Sequence, residues 1–113
     1  AAARLRASPE QLGTALLDQR LLAGVGNIFK SEACFAAGVD PFRPAASLSP
    51  EEARATVEAA REQMRAAVET GRRPGRVYRR AGRPCPRCRR AALRSAPQGD
   101  GARTTYWCPA CQS

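Results

Sequence analysis

The sequence contains no histidine, and Lys30 is its only lysine. Without histidine, sulfur is the only soft metal ligand available, and nothing signals a metal centre with an open catalytic position. No apolar run approaches membrane-spanning length, so the chain reads as a soluble, cytoplasmic protein with no membrane partner. There is no hydrophobic leader either, which argues against a secreted, disulfide-stapled domain. Acid is almost missing from the second half: Asp100 is the sole acidic residue after position 71. At 113 residues the chain is one domain or two small units sharing an interface.

Against this background, four cysteines stand out in the last thirty residues. Cys85-Pro-Arg-Cys88 and Cys108-Pro-Ala-Cys111 form two C-x-x-C knuckles separated by residues 89 to 107. That spacing is the pattern of a zinc ribbon, in which each knuckle points two thiolates at one ion. A closed four-sulfur site is structural, with the metal standing in for a core that so short a segment cannot build. The alternatives are two disulfides or a redox C-x-x-C; a redox motif would not need two knuckles. Cys34 lies far from the knuckles and reads as a small core hydrophobe, not a fifth ligand.

The net charge of +9 is concentrated at one end. Residues 1–71 carry eight basic groups against nine acidic ones, whereas residues 72–113 carry eleven arginines against Asp100. Ten of those arginines fall between Arg72 and Arg94 with no acid among them, which points to a polyanionic partner such as nucleic acid.

The first half reads as helical. Ser8-Pro9-Glu10-Gln11 has the form of a helix start, followed by Leu12, Leu16 and Leu17 at helical spacing, with Gly13 a weak spot. The glycine pair in Ala23-Gly24-Val25-Gly26-Asn27 turns the chain, and a second helix is expected from Asn27 to Ala37, closed by Gly38. Ser49-Pro50-Glu51-Glu52 is a capping box that opens a third helix over about 50–70, ended by Gly71. Its apolar face is Ala53, Val57, Ala60, Met64 and either Ala67 or Val68. Beyond Arg72 helical periodicity disappears. Val77-Tyr78 reads as a short strand, and Arg89–Arg94 is expected to pair with Ala102–Trp107 across a turn at residues 97–101. Of Tyr106 and Trp107, which alternate along a strand, one is expected to pack on the knuckles. The fold class is therefore mainly α, a helical unit over 1–76 followed by a β-hairpin zinc ribbon over 77–113.

Two segments can meet an anion. The glycine turn presents backbone N–H groups at a helix N-terminus, a favourable place for phosphate, although a tight interhelical turn explains it equally well. Arg103 precedes the second knuckle on the return strand, placed to clamp a phosphate or to be one more exposed arginine.

The string ALLDQRLLAGVGNIFKSEACFAAGVDP resembles the helix–two-turn–helix segment of the formamidopyrimidine-DNA glycosylase and endonuclease VIII family. The tail VYRRAGRPCPRC…ARTTYWCPACQ resembles the zinc-finger hairpin of the same enzymes. The resemblance implies that Asn27 and Arg103 hold backbone phosphates around a lesion, with Gly26 and Lys30 beside Asn27 as further DNA-binding candidates. It implies a structural zinc on Cys85, Cys88, Cys108 and Cys111, and double-stranded DNA carrying a lesion or abasic site as partner. Where the family often has a lysine shortly before LLDQ, this chain has Gly13 and Thr14.

Family members use an N-terminal proline amine as nucleophile, followed by a glutamate, on a preceding β-sandwich domain. This chain begins Ala1-Ala2-Ala3, and the prolines of Pro9-Glu10 and Pro50-Glu51 are internal tertiary amides, so no catalytic residue is assigned. The expectation is the DNA-binding part of a base-excision-repair glycosylase/AP lyase, inactive alone, with the N-terminal catalytic domain as its missing partner. The short link from Gly71 to Arg76 resembles the endonuclease VIII branch, which prefers oxidised pyrimidines. The alternative is a non-enzymatic nucleic-acid-binding zinc-ribbon module.

Overall fold

The computed structural model describes residues 2–18, 26–72, 74–99 and 103–113. The described elements run α1 (Ala2–Arg6), α2 (Leu12–Asp18), α3 (Gly26–Ala37), a 3-10 turn at Ala45–Ser47, α4 (Pro50–Thr70), β1 (Arg94–Gln98) and β2 (Arg103–Trp107). This is the mainly α architecture with a terminal β-hairpin that the residue pattern implied. No helix among the described residues is long and apolar enough to cross a membrane.

Helix α4 follows its sequence signals closely. Ser49 Oγ accepts from the Glu52 amide, the Glu52 carboxylate accepts from the Ser49 amide, Pro50 sits in the first turn, and Gly71 closes the helix at φ +71°. Ala53, Val57 and Ala60 are buried, with Met64 and Ala67 packed partly against the same core. Val68 is 86% exposed, so Ala67 continues the stripe.

The chain before Leu12 departs from expectation in two ways. A short helix, α1, precedes the anticipated start and inserts Leu5 fully into the core. Five residues are too few to be stable alone, so this helix exists because of what Leu5 packs against. The segment Ser8-Pro9-Glu10-Gln11 is a turn, not a helix start. Ser8 Oγ accepts from the Glu10 amide at 3.2 Å, and α2 begins only at Leu12. The reason is that the amides opening α2 find partners in the neighbouring linker: Leu12 N–H donates to Arg43 O (2.7 Å) and Gly13 N–H to Pro41 O (2.8 Å). No N-cap side chain is needed there.

Helix α3 runs to Ala37, with Gly38 at φ +73°, and every residue from Phe29 to Phe35 is buried. A helix buried on all sides lies between two layers. Phe29, Ala33 and Cys34 join Leu5, Leu12, Leu16 and the α4 stripe in one core. Phe35 belongs to a second, with Val77, Leu93, Cys85 and Cys108.

The hairpin pairs Arg94 with Trp107 through Gln98 with Arg103. The first strand therefore lies four to five residues later than Arg89–Arg94, and Pro97 and Gln98 belong to it, not to the turn. A proline is tolerated because both strands of a two-stranded ribbon are edges. Val77-Tyr78 is not a strand: Arg80 N–H donates to Val77 O (3.1 Å), closing a turn.

Candidate nucleic-acid interface and metal centre

The four knuckle cysteines converge. Their sulfurs all lie within 4.8 Å of one another, with Cys85–Cys111 and Cys88–Cys108 each at 3.8 Å. A tetrahedral ion with metal–sulfur bonds of about 2.3 Å requires sulfurs about 3.8 Å apart, so the donor set fits a four-coordinate ion. The knuckle backbone supports it: Arg87 N–H points at Cys85 Sγ (3.3 Å) and Cys111 N–H at Cys108 Sγ (3.4 Å). The amides of Arg90 and Ala91 hold the Cys88 thiol down at about 6, whereas burial pushes the Cys111 thiol up to about 12. These four residues could hold a metal ion. Cys34 stands apart, fully buried, its thiol pushed up to about 12 chiefly by that burial.

Asn27 and Arg103 come from different layers. Asn27 Nδ2 donates to the backbone carbonyl of Thr104, one residue beyond Arg103. Tyr106 N–H donates to Ser31 Oγ at 3.1 Å, one turn further along α3. The start of β2 is thus fastened along the first turns of α3, with Arg103 exposed. Gly26 opens α3 at φ +68°. The rest of the glycine turn expected to carry an anion, Ala23 to Val25, lies outside the described residues.

Lys30 is 2% exposed, and its Nζ has no hydrogen-bond partner among the described residues. Burial lowers its pKa to about 8, with Cys34 opposing the shift and Arg103 adding to it. A buried ammonium without a partner, within the field of Arg103, is costly in the free chain.

Three further residues organise this face. Glu32, 1% exposed, accepts the amides of Arg76 (3.0 Å), Val77 (2.8 Å) and Tyr78 (2.8 Å), so one carboxylate caps the turn leading into the first knuckle. An acid between Phe29 and Phe35 on a buried helix was its only sequence signal. Gln98 donates to Pro41 O (2.8 Å) and Gln11 Oε1 (3.1 Å), and its Oε1 accepts from Thr105 Oγ1 (2.7 Å), docking the hairpin onto the helical layer. Gly13 is where Gln98 fits, since a Cβ there would stand 2.1 Å from Gln98 Oε1. It is a close approach, not a weak spot. Tyr106 packs against the cysteine cluster, while Trp107 meets Phe42 edge-on with centroids 4.9 Å apart.

A family profile described as the formamidopyrimidine-DNA glycosylase H2TH domain matches residues 1–78. The chain belongs to that family. A relative matched along 96% of the chain is the probable endonuclease 8 2 of Streptomyces coelicolor, 46% identical over 119 residues. The crystal structure of the MutM (Fpg) protein of Thermus thermophilus superposes with a TM-score of 0.84 at 41% identity, covering 98% of this chain and 48% of that one. The Lactococcus lactis Fpg in complex with abasic-site DNA gives a TM-score of 0.84 at 26% identity, covering 99% and 45%. The chain spans 43% of the Streptomyces relative's length and less than half of either solved chain.

Proposed function

We propose that this chain is the DNA-gripping part of a base-excision-repair glycosylase/AP lyase acting on oxidised bases, with pyrimidines as the preferred class. Asn27 and Arg103 take phosphates of the lesion strand, Gly26 lets the backbone approach, and Lys30 adds positive charge behind them. The observation that carries this reading is the hydrogen bond from Asn27 to Thr104, which brings residues seventy-seven positions apart onto one face. An Asn amide has two donor hydrogens, so one remains for a phosphate oxygen. The Lys30 ammonium, without a hydrogen-bond partner among the described residues, supports the same reading, because a bound anion would compensate it.

Zinc is the metal proposed for Cys85, Cys88, Cys108 and Cys111. Bound there, it supplies no chemistry beyond closing the ribbon that carries Arg103. Residues 1–76 and 77–113 act as two modules of one grip, in a cytoplasmic, nucleoid-associated protein. The solved Lactococcus relative holds abasic-site DNA, and we extend that ligand class to this chain. Phosphate contacts carry no base code, so the grip is largely independent of sequence. Pro9 and Pro50 are internal, and the chain by itself supplies binding, not base excision or strand cleavage.

The test compares the zinc-loaded chain on duplexes with and without an abasic-site analogue. Preference for the lesion, reduced in Arg103→Ala, supports the repair role. Equal binding to both duplexes favours a general nucleic-acid module, and no binding removes both. Borohydride trapping of a covalent complex with abasic DNA would overturn the non-catalytic assignment.

A further inference from the structure

A concavity of about 700 Å³ opens beside the first knuckle, with Arg76, Arg80, Arg83 and Arg89 around it and Pro84 and Pro86 in its wall. None of the four arginines enters an ion pair among the described residues. The sequence supplies no acid between Arg72 and Arg94. Four guanidinium groups without an ion pair among the described residues surround one hollow and repel one another, and a polyanion seated there relieves that repulsion.

Two of the four are held in position. Arg80 Nε donates to Gly75 O at 2.7 Å, and the Arg76 guanidinium stands 5.3 Å from the Phe35 ring centroid. Arg89 occupies the left-handed region at φ +57°, a backbone conformation that favours glycine. Arginine therefore sits where glycine would be unstrained. Guanidinium forks match phosphate oxygens in pairs, and the proline walls offer apolar surface to sugar rings.

The hollow is lined without Asn27, and its Arg76 meets α3 at Phe35. Phe35, against which Arg76 rests, follows Asn27 by eight residues, about 12 Å along the axis of α3. A rise of that size corresponds to three or four base steps of a duplex, the spacing of two separate backbone contacts.

We infer that the arginine hollow beside the first knuckle is a second phosphate-binding station, taking the sugar–phosphate backbone of nucleic acid outside the Asn27–Arg103 grip. The choice of nucleic acid over an acidic protein rests on the DNA-binding reading above. The hollow lengthens the footprint without contributing to lesion preference.

The experiment uses the zinc-loaded chain and the double variant Arg83→Ala/Arg89→Gly. Glycine removes the backbone strain at position 89, and unchanged metal content and circular dichroism establish that the variant folds. Affinity is measured against salt on a long duplex and on a short one ending within a few base pairs of the lesion analogue. On the long duplex the variant is expected to bind more weakly, its log–log salt slope falling by about two, since each lost phosphate contact removes about 0.9. On the short duplex the two proteins should agree, and lesion preference should persist in both. Identical slopes and affinities on the long duplex would overturn the second station, whatever acidic protein the hollow then binds. If the unmodified chain fails to bind either duplex, the DNA-binding reading falls and this inference falls with it.

Discussion

Asn27 on α3 is fastened to Thr104 on β2, the residue next to Arg103. The bond gives Asn27 a structural duty besides the proposed phosphate contact. Asn27→Asp removes both, because the carboxylate keeps the shape and loses both donors. The expected outcome is a drop in DNA affinity of about tenfold or more, as for a lost hydrogen bond to a charged group. Fluorescence anisotropy at fixed salt measures it, and an unchanged affinity would remove Asn27 from the interface.

Lys30 should show a trade between stability and binding. Its folded pKa of about 8 lies below the usual 10.5, so the unfolded chain binds more protons between those values. Burying the charged form therefore destabilises the fold below about pH 8, and the penalty fades as pH rises towards 10.5. Lys30→Met is expected to raise stability by about 1 to 3 kcal/mol at pH 7, with the advantage vanishing near pH 10.5. Denaturant melts of both proteins across that range decide it. The same substitution should weaken DNA binding.

Glu32 accepts three backbone amides from residues 76 to 78. Glu32→Ala leaves those donors without a protein partner and is expected to lower stability by about 3 kcal/mol or more. Glu32→Gln retains one acceptor but turns an NH₂ group towards donors, so it should fall between. A loss below about 0.5 kcal/mol in Glu32→Ala would show that the latch contributes nothing.

Gly13 sets two effects against each other. Helix propensity favours Gly13→Ala by about 1 kcal/mol. The added methyl, however, would meet Gln98, which is buried and held by three hydrogen bonds. Displacing it should cost more than propensity returns, so a net loss of about 1 to 2 kcal/mol is expected. A higher melting temperature would reverse the assignment.

Metal removal should act on one layer first. The cysteine cluster shares its core with Phe35, Val77 and Leu93, whereas the α4 stripe packs in the other core. Chelation is expected to release one metal per chain and to abolish DNA binding while most helical dichroism remains. Loss of helix in step with metal would show instead that the two cores fold as one.

What the sequence disclosed depended on how local the cause was. The capping box at Ser49 and Glu52, the glycine stops at Gly38 and Gly71 and each C-x-x-C pair act within a few residues, and each is readable. The start of α2 differs from its sequence signal because its amides are satisfied by Pro41 and Arg43, not by Ser8. The strand register shifted because Gln98 is claimed by Pro41 and Thr105, partners that no turn propensity encodes. The site followed the same division. The four cysteines that could hold an ion were marked by their spacing, whereas the burial of Lys30 and the latch at Glu32 depend on two layers meeting around α3.

Trp107 is the only indole in the chain, and it rests edge-on against Phe42 immediately before Cys108. Its emission therefore reports whether the ribbon is seated on the linker between α3 and α4. Because it belongs to β2 along with Arg103, docking can be followed optically during titration, chelation or unfolding without attaching a dye.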